Sequence, residues 1–161
     1  MRQIYTSQVL KWFKEKAAAE TNTLSALYAA FASGDTEKIK EILDEQLLYT
    51  ISFHDAYESF YHGFLLALLN TCADWRVTSN RETGKGRSDI LVESVDGKLG
   101  IVIEVKDVRG GKLEETCKAA IKQIEDKDYA AVLRRYRVKN IWEYGIAFCG
   151  KECCVTARHL S

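Results

Sequence analysis

The residues best suited to chemistry are an acid and a lysine near the end of an apolar segment. Residues 101–106 read IVIEVK, which places Glu104 and Lys106 two positions apart in a predicted strand. Because side chains alternate between the two faces of a strand, these two share one face. Ile101, Ile103 and Val105 then point into a core on the other face. Charged groups are costly to bury without partners, and a metal ion or a phosphate group would offset that cost.

A second acid is expected beside this pair. Asp96 and Gly97 form a hairpin signal between two predicted strands, and an unbulged hairpin centred on them places Asp89 directly opposite Glu104. Two carboxylates so placed repel each other unless a cation lies between them. Mg²⁺ suits the pair, because it prefers oxygen ligands and keeps several waters. The main-chain carbonyl of Val105 would add a third protein oxygen.

The same residues have a structural interpretation. Asp89, Glu104 and Lys106 would equally form an exposed salt-bridge ladder on a solvated sheet face, since acids and lysines are common there. Their spacing by itself leaves both interpretations open.

The first half of the chain is predicted to be helical, because its apolar residues recur at helical spacing. The predicted helices cover residues 7–18, residues 21–32, a segment that carries Ile39, Ile42, Leu43 and Leu47, and about Phe53 to Thr71. Gly34 ends the second helix and Asp35 caps the third, which predicts a helical hairpin. Ser52 and Asp55 resemble a capping pair at the start of the last helix.

The second half alternates between strands and helices. Strands are predicted at 75–79, 87–93, 99–106, 140–148 and 152–158, with a helix that carries Leu113 to Ile124 and a short helical piece at 129–136. Turns are predicted at 80–86, at Asp96-Gly97 and at Gly150. The order after the helices is therefore β-β-β-α-β-β, which predicts an α/β fold with a mixed sheet flanked by helices.

Composition limits the function classes. The 161 residues are 47% hydrophobic with a net charge of zero, so any nucleic-acid contact must come from a local patch. The five cysteines match no zinc spacing, which favours reduced thiols and a cytoplasmic protein. Residues 1–16 do not have the pattern of a signal peptide, and no apolar run approaches the ~20 residues that span a membrane.

Four segments together carry a family resemblance. They are ESFYHGFL at 58–65, GRSDI at 86–90, IEVK at 103–106, and AIKQI at 120–124 followed by Tyr129. The chain resembles the PD-(D/E)XK nuclease superfamily, and in particular the nuclease-like C-terminal domain of AAA-ATPase-like proteins. Ser88 stands where the signature has proline. The resemblance implies a restriction-endonuclease-like core over residues 51–161. Residues 1–50 would be a helical segment linking it to an ATPase domain on the same or another chain.

The resemblance also implies roles for single residues. Asp89 and Glu104 would bind the metal, Mg²⁺ or Mn²⁺, and Glu58 would complete the site through water. Lys106 would position the attacking water and stabilise charge in the transition state. Glu58 has an equally weighted interpretation as a solvated helix acid. His62, four residues later on the same helix face, is more typical of a structural histidine.

Further residues are expected around the site. The resemblance places Gln123 and Tyr129 at its lining, although Tyr129 is also typical of a core aromatic. Arg81, Lys85 and Arg87 flank the approach to Asp89 and would contact the phosphate backbone. Arg109 and Lys112 follow Lys106 and would extend this positive rim, which could instead be an ordinary solvated loop.

The function that follows is metal-dependent hydrolysis of phosphodiester bonds in nucleic acid, with DNA preferred over RNA. The alternative is a catalytically silent module that keeps the nuclease fold for protein interaction or regulation. A weaker third hypothesis is an oligomeric scaffold built on exposed Trp12, Trp75 and Trp142.

Overall fold

The computed structural model describes residues 21–50, 57–83 and 86–160. The predicted helix at 7–18 and the capping pair Ser52 and Asp55 lie outside these ranges. In the described part of the chain, no helix combines the length and the apolarity that a bilayer crossing requires.

The described chain begins with the predicted helical hairpin. Helix α1 covers Thr21–Ser33 and α2 covers Thr36–Thr50. Gly34 ends α1 with a φ of 79°, and the Asp35 carboxylate accepts a hydrogen bond of 3.0 Å from the main-chain N–H of Lys38. A Cβ at Gly34 would lie 2.2 Å from the Trp142 ring, so the turn is held against the sheet by close packing.

Helix α3 covers Glu58–Leu69, which is shorter than predicted. Tyr57 is extended, with φ −114° and ψ 155°, and its carbonyl accepts hydrogen bonds from the N–H groups of Phe60 and Tyr61. The helix therefore begins at Glu58, and the prediction of a start near Phe53 is wrong. Apolar spacing does not mark the N-terminus of this helix, which the extended Tyr57 sets as its N-cap.

A five-stranded mixed sheet forms the centre of the fold. Its strands are β1 (Trp75–Thr83), β2 (Gly86–Ser94), β3 (Leu99–Asp107), β4 (Asn140–Cys149) and β5 (Glu152–Leu160), in that spatial order. Only β3 and β4 are parallel among these neighbours. Between them run α4 (Leu113–Lys127) and α5 (Ala131–Arg135), as the long connection of a parallel pair requires. The predicted α/β class and mixed sheet are confirmed.

Two hairpins precede the parallel pair. β1 continues through Thr83, which pairs with Gly86, so the predicted turn over 80–86 is wrong and only residues 84–85 connect the strands. In the next hairpin, Ile90 pairs with Ile103, the register expected for a turn centred on Asp96-Gly97. Gly97 has a φ of 71° there, which favours glycine.

The sheet is covered on both faces. One core contains Ile101, Ile103 and Val105 of β3 and is covered by α1, α2 and α3. The opposite core contains Val102 and is covered by α4 and α5. Because residues alternate along β3, Glu104 lies on the second face, under α4. The sheet face at Glu104 is thus enclosed, and the interpretation as a solvated ladder is wrong for this residue.

The tryptophans pack within the fold. The rings of Trp75 and Tyr28 are 5.2 Å apart, and those of Trp142 and His159 are 4.5 Å apart. Both tryptophans are half-buried, so the hypothesis of an oligomeric surface built on exposed tryptophans is wrong for these two. Trp12 lies outside the described residues.

Candidate active site

Glu104 is the most enclosed acid of the site. Its residue surface is 2% exposed, although it carries a carboxylate. Oε1 accepts hydrogen bonds from Lys106 Nζ at 2.9 Å and from Gln123 Nε2. Oε2 is the one buried side-chain oxygen or nitrogen among the described residues that has no hydrogen-bond partner. A buried oxygen without a partner is costly, and it marks a position where a ligand would stabilise the site.

The other buried glutamate of the described chain differs from Glu104 in its hydrogen-bond partners. Glu143, on β4, is as enclosed as Glu104. Its Oε2 accepts hydrogen bonds from the Arg158 guanidinium, 2.7 Å from Nε and 2.6 Å from Nη2. The Arg158 pair satisfies Glu143 within the protein, whereas Glu104 retains an oxygen for a partner from outside the chain.

Lys106 supplies the positive charge beside Glu104. Its side chain is partly exposed, so the ammonium lies between the buried carboxylate and solvent. Burial lowers the pKa of Lys106, but the hydrogen bond and the charge of Glu104 outweigh burial, and the pKa lies above its ordinary value. Lys106 is therefore a cation at neutral pH and is suited to stabilising negative charge.

Asp89 lies where β2 and β3 separate. The paired register ends at Ile90 and Ile103, and the main-chain N–H of Val105, two residues further along β3, donates to Asp89 Oδ2 at 2.8 Å. The carboxylate takes the place that a main-chain carbonyl of β2 would fill if the ladder continued. Since the N–H and C=O of a strand residue point to the same side, the Val105 carbonyl also faces the Asp89 side.

His62 holds the main chain of Asp89 from α3. Its Nε2 is 3.0 Å from the Asp89 carbonyl and 3.0 Å from Ser79 Oγ. A carbonyl can only accept, so Nε2 carries the proton and the imidazole is the Nε2–H tautomer if neutral. The structural interpretation of His62 is confirmed by this contact, which links α3 to both strands of the first hairpin.

Gln123 and Tyr129 form a layer behind Glu104. The Gln123 amide donates to Glu104 Oε1 and also lies 3.4 Å from the Tyr129 hydroxyl. Tyr129 is 3% exposed, and its ring fills the space beside Gly86, where a Cβ would be 3.0 Å from Cε1. The structure thus brings Gln123 to the site as predicted and places Tyr129 in the core, where it supports Gln123.

Gly145 allows α4 to approach the sheet closely. It pairs with Glu104 in the β3–β4 register, and a Cβ there would lie 2.6 Å from the Cys117 carbonyl and 2.7 Å from the Ile121 nitrogen. The helix backbone therefore rests on the strand beside Glu104. This close packing brings Gln123, two residues after Ile121, within reach of Glu104.

Glu58 acts on the site through its charge. It is exposed at the first position of α3. Burial raises the pKa of Glu104 to about 7, the charges of Asp89 and Glu58 add to the rise, and Lys106 opposes it. A cation at the Glu104 carboxylate would favour its charged form.

The residues fit a divalent cation held by two carboxylates. Within the described ranges, no group of three or more Asp, Glu, His or Cys side chains is arranged to hold a metal, and the role of Glu58 through water stays a prediction. Asp89, Glu104 and the Val105 carbonyl are oxygen donors, and the unpartnered Glu104 Oε2 is the observation that favours an ion. Mg²⁺ is commonly held by one or two carboxylates, with water completing its shell.

The structure describes only part of the predicted positive rim. Arg109 Nε lies 3.4 Å from Asp107 Oδ2, and Lys112 Nζ lies 2.8 Å from Glu115 Oε1, so both cations have acidic partners. The main chain of Arg81 and Arg87 lies in the β1–β2 hairpin. Their side chains, and Lys85 as a whole, lie outside what the structure describes.

The sequence did not identify two positioning contacts. Ser79 lies in the strand predicted at 75–79, but its contact with His62 follows from the packing of α3 against β1. The role of Gly145 follows from the parallel pairing of β3 and β4. A glycine inside an apolar strand segment is the one available signal for such a close approach.

Comparison with known families is in accord with this geometry. The family model described as PD-(D/E)XK nuclease superfamily matches residues 56–158, which contain all the site residues described above. The comparison with curated proteins finds no match.

Proposed function

The chain belongs to the PD-(D/E)XK nuclease superfamily, and from that premise we propose that it hydrolyses phosphodiester bonds of nucleic acid, with DNA as the expected substrate and Mg²⁺ or Mn²⁺ as cofactor. The observation that carries the proposal is Glu104 Oε2, a buried carboxylate oxygen without a partner beside Asp89 and Lys106. A site that served structure alone would satisfy this oxygen within the protein, as Arg158 satisfies Glu143.

A divalent cation held by Asp89 and Glu104 would supply a Lewis acid for the scissile phosphate and lower the pKa of an attacking water. The chain's own residues orient the two carboxylates and stabilise the charge of the transition state. Val105 N–H fixes the Asp89 carboxylate, and Gln123 fixes that of Glu104. The Lys106 ammonium, partly open to solvent, neutralises charge that develops on the phosphate oxygens in the transition state.

A second candidate function is a catalytically silent module that keeps the nuclease fold. It is favoured by the pairing of Lys106 and Gln123 with one oxygen of Glu104, and by the neutral charge of the whole chain. Arg109 and Lys112 also have acidic partners, which weakens the attraction for a phosphate backbone. In the described chain, however, Lys106 forms an ion pair with Glu104 and none with Asp89, and one oxygen of Glu104 stays without a partner.

Residues 1–50 are proposed as a helical extension of the core. Helices α1 and α2 lie outside the matched range, but Leu27, Phe31 and Leu43 belong to the same hydrophobic cluster as Ile103 of β3. A link to an ATPase domain and self-association stay predictions. Sizing chromatography of the chain alone tests the second of these.

Cleavage assays separate the two candidate functions. The chain is incubated with Mg²⁺ or Mn²⁺ and with labelled DNA or RNA, single-stranded or duplex. We expect cleavage that Lys106→Met lowers by about a hundredfold or more, because it removes the charge that stabilises the transition state. Lys118→Met, an exposed lysine on α4, is the matched control and should not change the rate.

Two results would contradict the proposed function or its site. If no substrate is cleaved, and Asp89→Ala binds metal as well as the wild type, the proposed nuclease activity is wrong and the silent module is favoured. Cleavage that survives Lys106→Met unchanged would place the chemistry elsewhere in the chain.

A further inference from the structure

An exposed aromatic ring and a guanidinium are stacked at the border of the site. Arg109 Cζ lies 4.4 Å from the centroid of the Tyr57 ring. Tyr57 is 53% exposed, and the Arg109 side chain is 64% exposed. Tyr57 is one of five large hydrophobic residues that are largely exposed in the described chain, and its ring is held by the cation above it.

Both residues of this pair lie close in sequence to residues of the site. Tyr57 immediately precedes Glu58, whose charge acts on both Glu104 and Lys106. Arg109 follows Lys106 by three residues, just beyond the end of β3. Both members of the pair thus project from segments that lead directly out of the site.

The contacts of Arg109 favour stacking over charge recognition. Asp107 lies within 3.4 Å of Arg109 Nε, so part of its charge is neutralised locally. A partly neutralised guanidinium still has a planar surface, and an exposed tyrosine has a π face of similar size. Such surfaces bind unpaired bases, which stack on aromatic and guanidinium planes without regard to base identity.

We propose that Tyr57 and Arg109 form a stacking platform for an unpaired base beside the scissile phosphate. The preferred substrate is then single-stranded or frayed nucleic acid, because a base inside a duplex has its faces covered by its neighbours. This inference rests on the proposed function for the nature of the substrate. It concerns binding, which is measured without cleavage.

The test uses a single-stranded DNA oligonucleotide that contains 2-aminopurine, whose fluorescence falls when the base stacks, in buffer with a chelator so that no strand is cut. We expect the wild type to quench the probe and to bind it more tightly than the same strand in a duplex. Tyr57→Ala should weaken binding by about tenfold and abolish the quenching, since one stacked base is lost. Tyr57→Phe should retain both.

Two controls separate stacking from other effects. Tyr136, also exposed, follows α5 at the opposite end of β3, and Tyr136→Ala should leave binding and quenching unchanged. Arg109→Lys retains the charge but not the plane, and should weaken binding to the strand with an intact base more than to a strand with an abasic site there. If Tyr57→Ala unfolds the chain, Tyr57→Leu replaces it.

Several results would overturn the inference. They are equal affinity for single strand and duplex, no effect of Tyr57→Ala or Tyr57→Leu, the same loss in Tyr136→Ala, or no binding of any strand by the wild type. A chain that quenches the probe but cuts nothing with metal contradicts the proposed function alone. A chain that cuts single-stranded nucleic acid at the wild-type rate after Tyr57→Ala contradicts the platform alone.

Discussion

The main-chain N–H of Val105 donates a hydrogen bond of 2.8 Å to the carboxylate of Asp89. This contact makes an acid of β2 depend on the backbone of β3 for its position, at the point where the two strands stop pairing. The Asp89 carboxylate is therefore positioned by the backbone of β3 at the point where the two strands separate. Asp89 is also held through its main chain, because His62 contacts the Asp89 carbonyl.

The contact predicts different effects for two substitutions of Asp89. Asp89→Asn keeps an oxygen that accepts from Val105, so we expect the free energy of unfolding to stay at the wild-type value or above it. Asp89→Ala leaves the N–H of Val105 without its acceptor and should lower that free energy by about 1–3 kcal/mol. Urea unfolding followed by circular dichroism measures both. Equal losses in the two variants would show that the hydrogen bond does not stabilise the junction of the strands.

The pKa of Glu104 predicts a pH dependence of stability in metal-free protein. Its folded value is about 7, above the ordinary 4.5, so the folded state binds the proton more tightly than the unfolded state. The resulting stabilisation is present in full below pH 4.5 and is lost as the pH rises through about 7. We expect the free energy of unfolding, measured with a chelator, to fall across this window.

Glu104→Gln should remove this part of the pH dependence, because the amide does not titrate. Glu115→Gln, at an exposed position of α4, should retain it. A wild-type curve that rises between pH 4.5 and 7, or a Glu104→Gln curve parallel to that of the wild type, would contradict the assignment of the titration to Glu104.

The packing of α4 on β4 predicts opposite effects for two glycines. Gly145→Ala places a Cβ within 2.7 Å of two backbone atoms of α4, so the helix must shift, at a cost of about 1–3 kcal/mol. Gly63→Ala meets nothing within 4 Å and lies inside α3, where alanine should stabilise by about 0.5–1 kcal/mol. Thermal unfolding of both variants measures the difference. A Gly145→Ala protein as stable as the wild type would show that α4 does not rest on the strand at this residue.

Local pattern predicted much of the site. Strand alternation placed Glu104 and Lys106 on one face, and the turn at Asp96-Gly97 set the register that ends at Ile90 and Ile103. Both depend on neighbours in sequence, whose geometry varies little. The helical hairpin around Gly34 was predicted for the same reason.

The parts that the sequence did not predict depend on distant contacts. Whether the face that carries Glu104 is solvated depends on where α4 lies, and this follows from the parallel crossover and from Gly145. The start of α3 at Glu58 follows from the extended main chain of Tyr57, which apolar spacing does not reveal. The extension of β1 to Thr83 depends on pairing with β2, in a segment whose polar composition is typical of a loop.

The central claim is that Asp89 and Glu104 together bind a divalent cation, and calorimetric titration with Mn²⁺ tests it most directly. The wild type, Asp89→Asn, Glu104→Gln and the surface control Glu115→Gln are titrated at a pH above 7, where Glu104 is charged. We expect one ion to bind the wild type and Glu115→Gln with equal affinity. Each site variant should bind the ion at least about tenfold more weakly, since it lacks a charged oxygen ligand. Equal affinity in all four proteins, or no binding by the wild type, would contradict the claim.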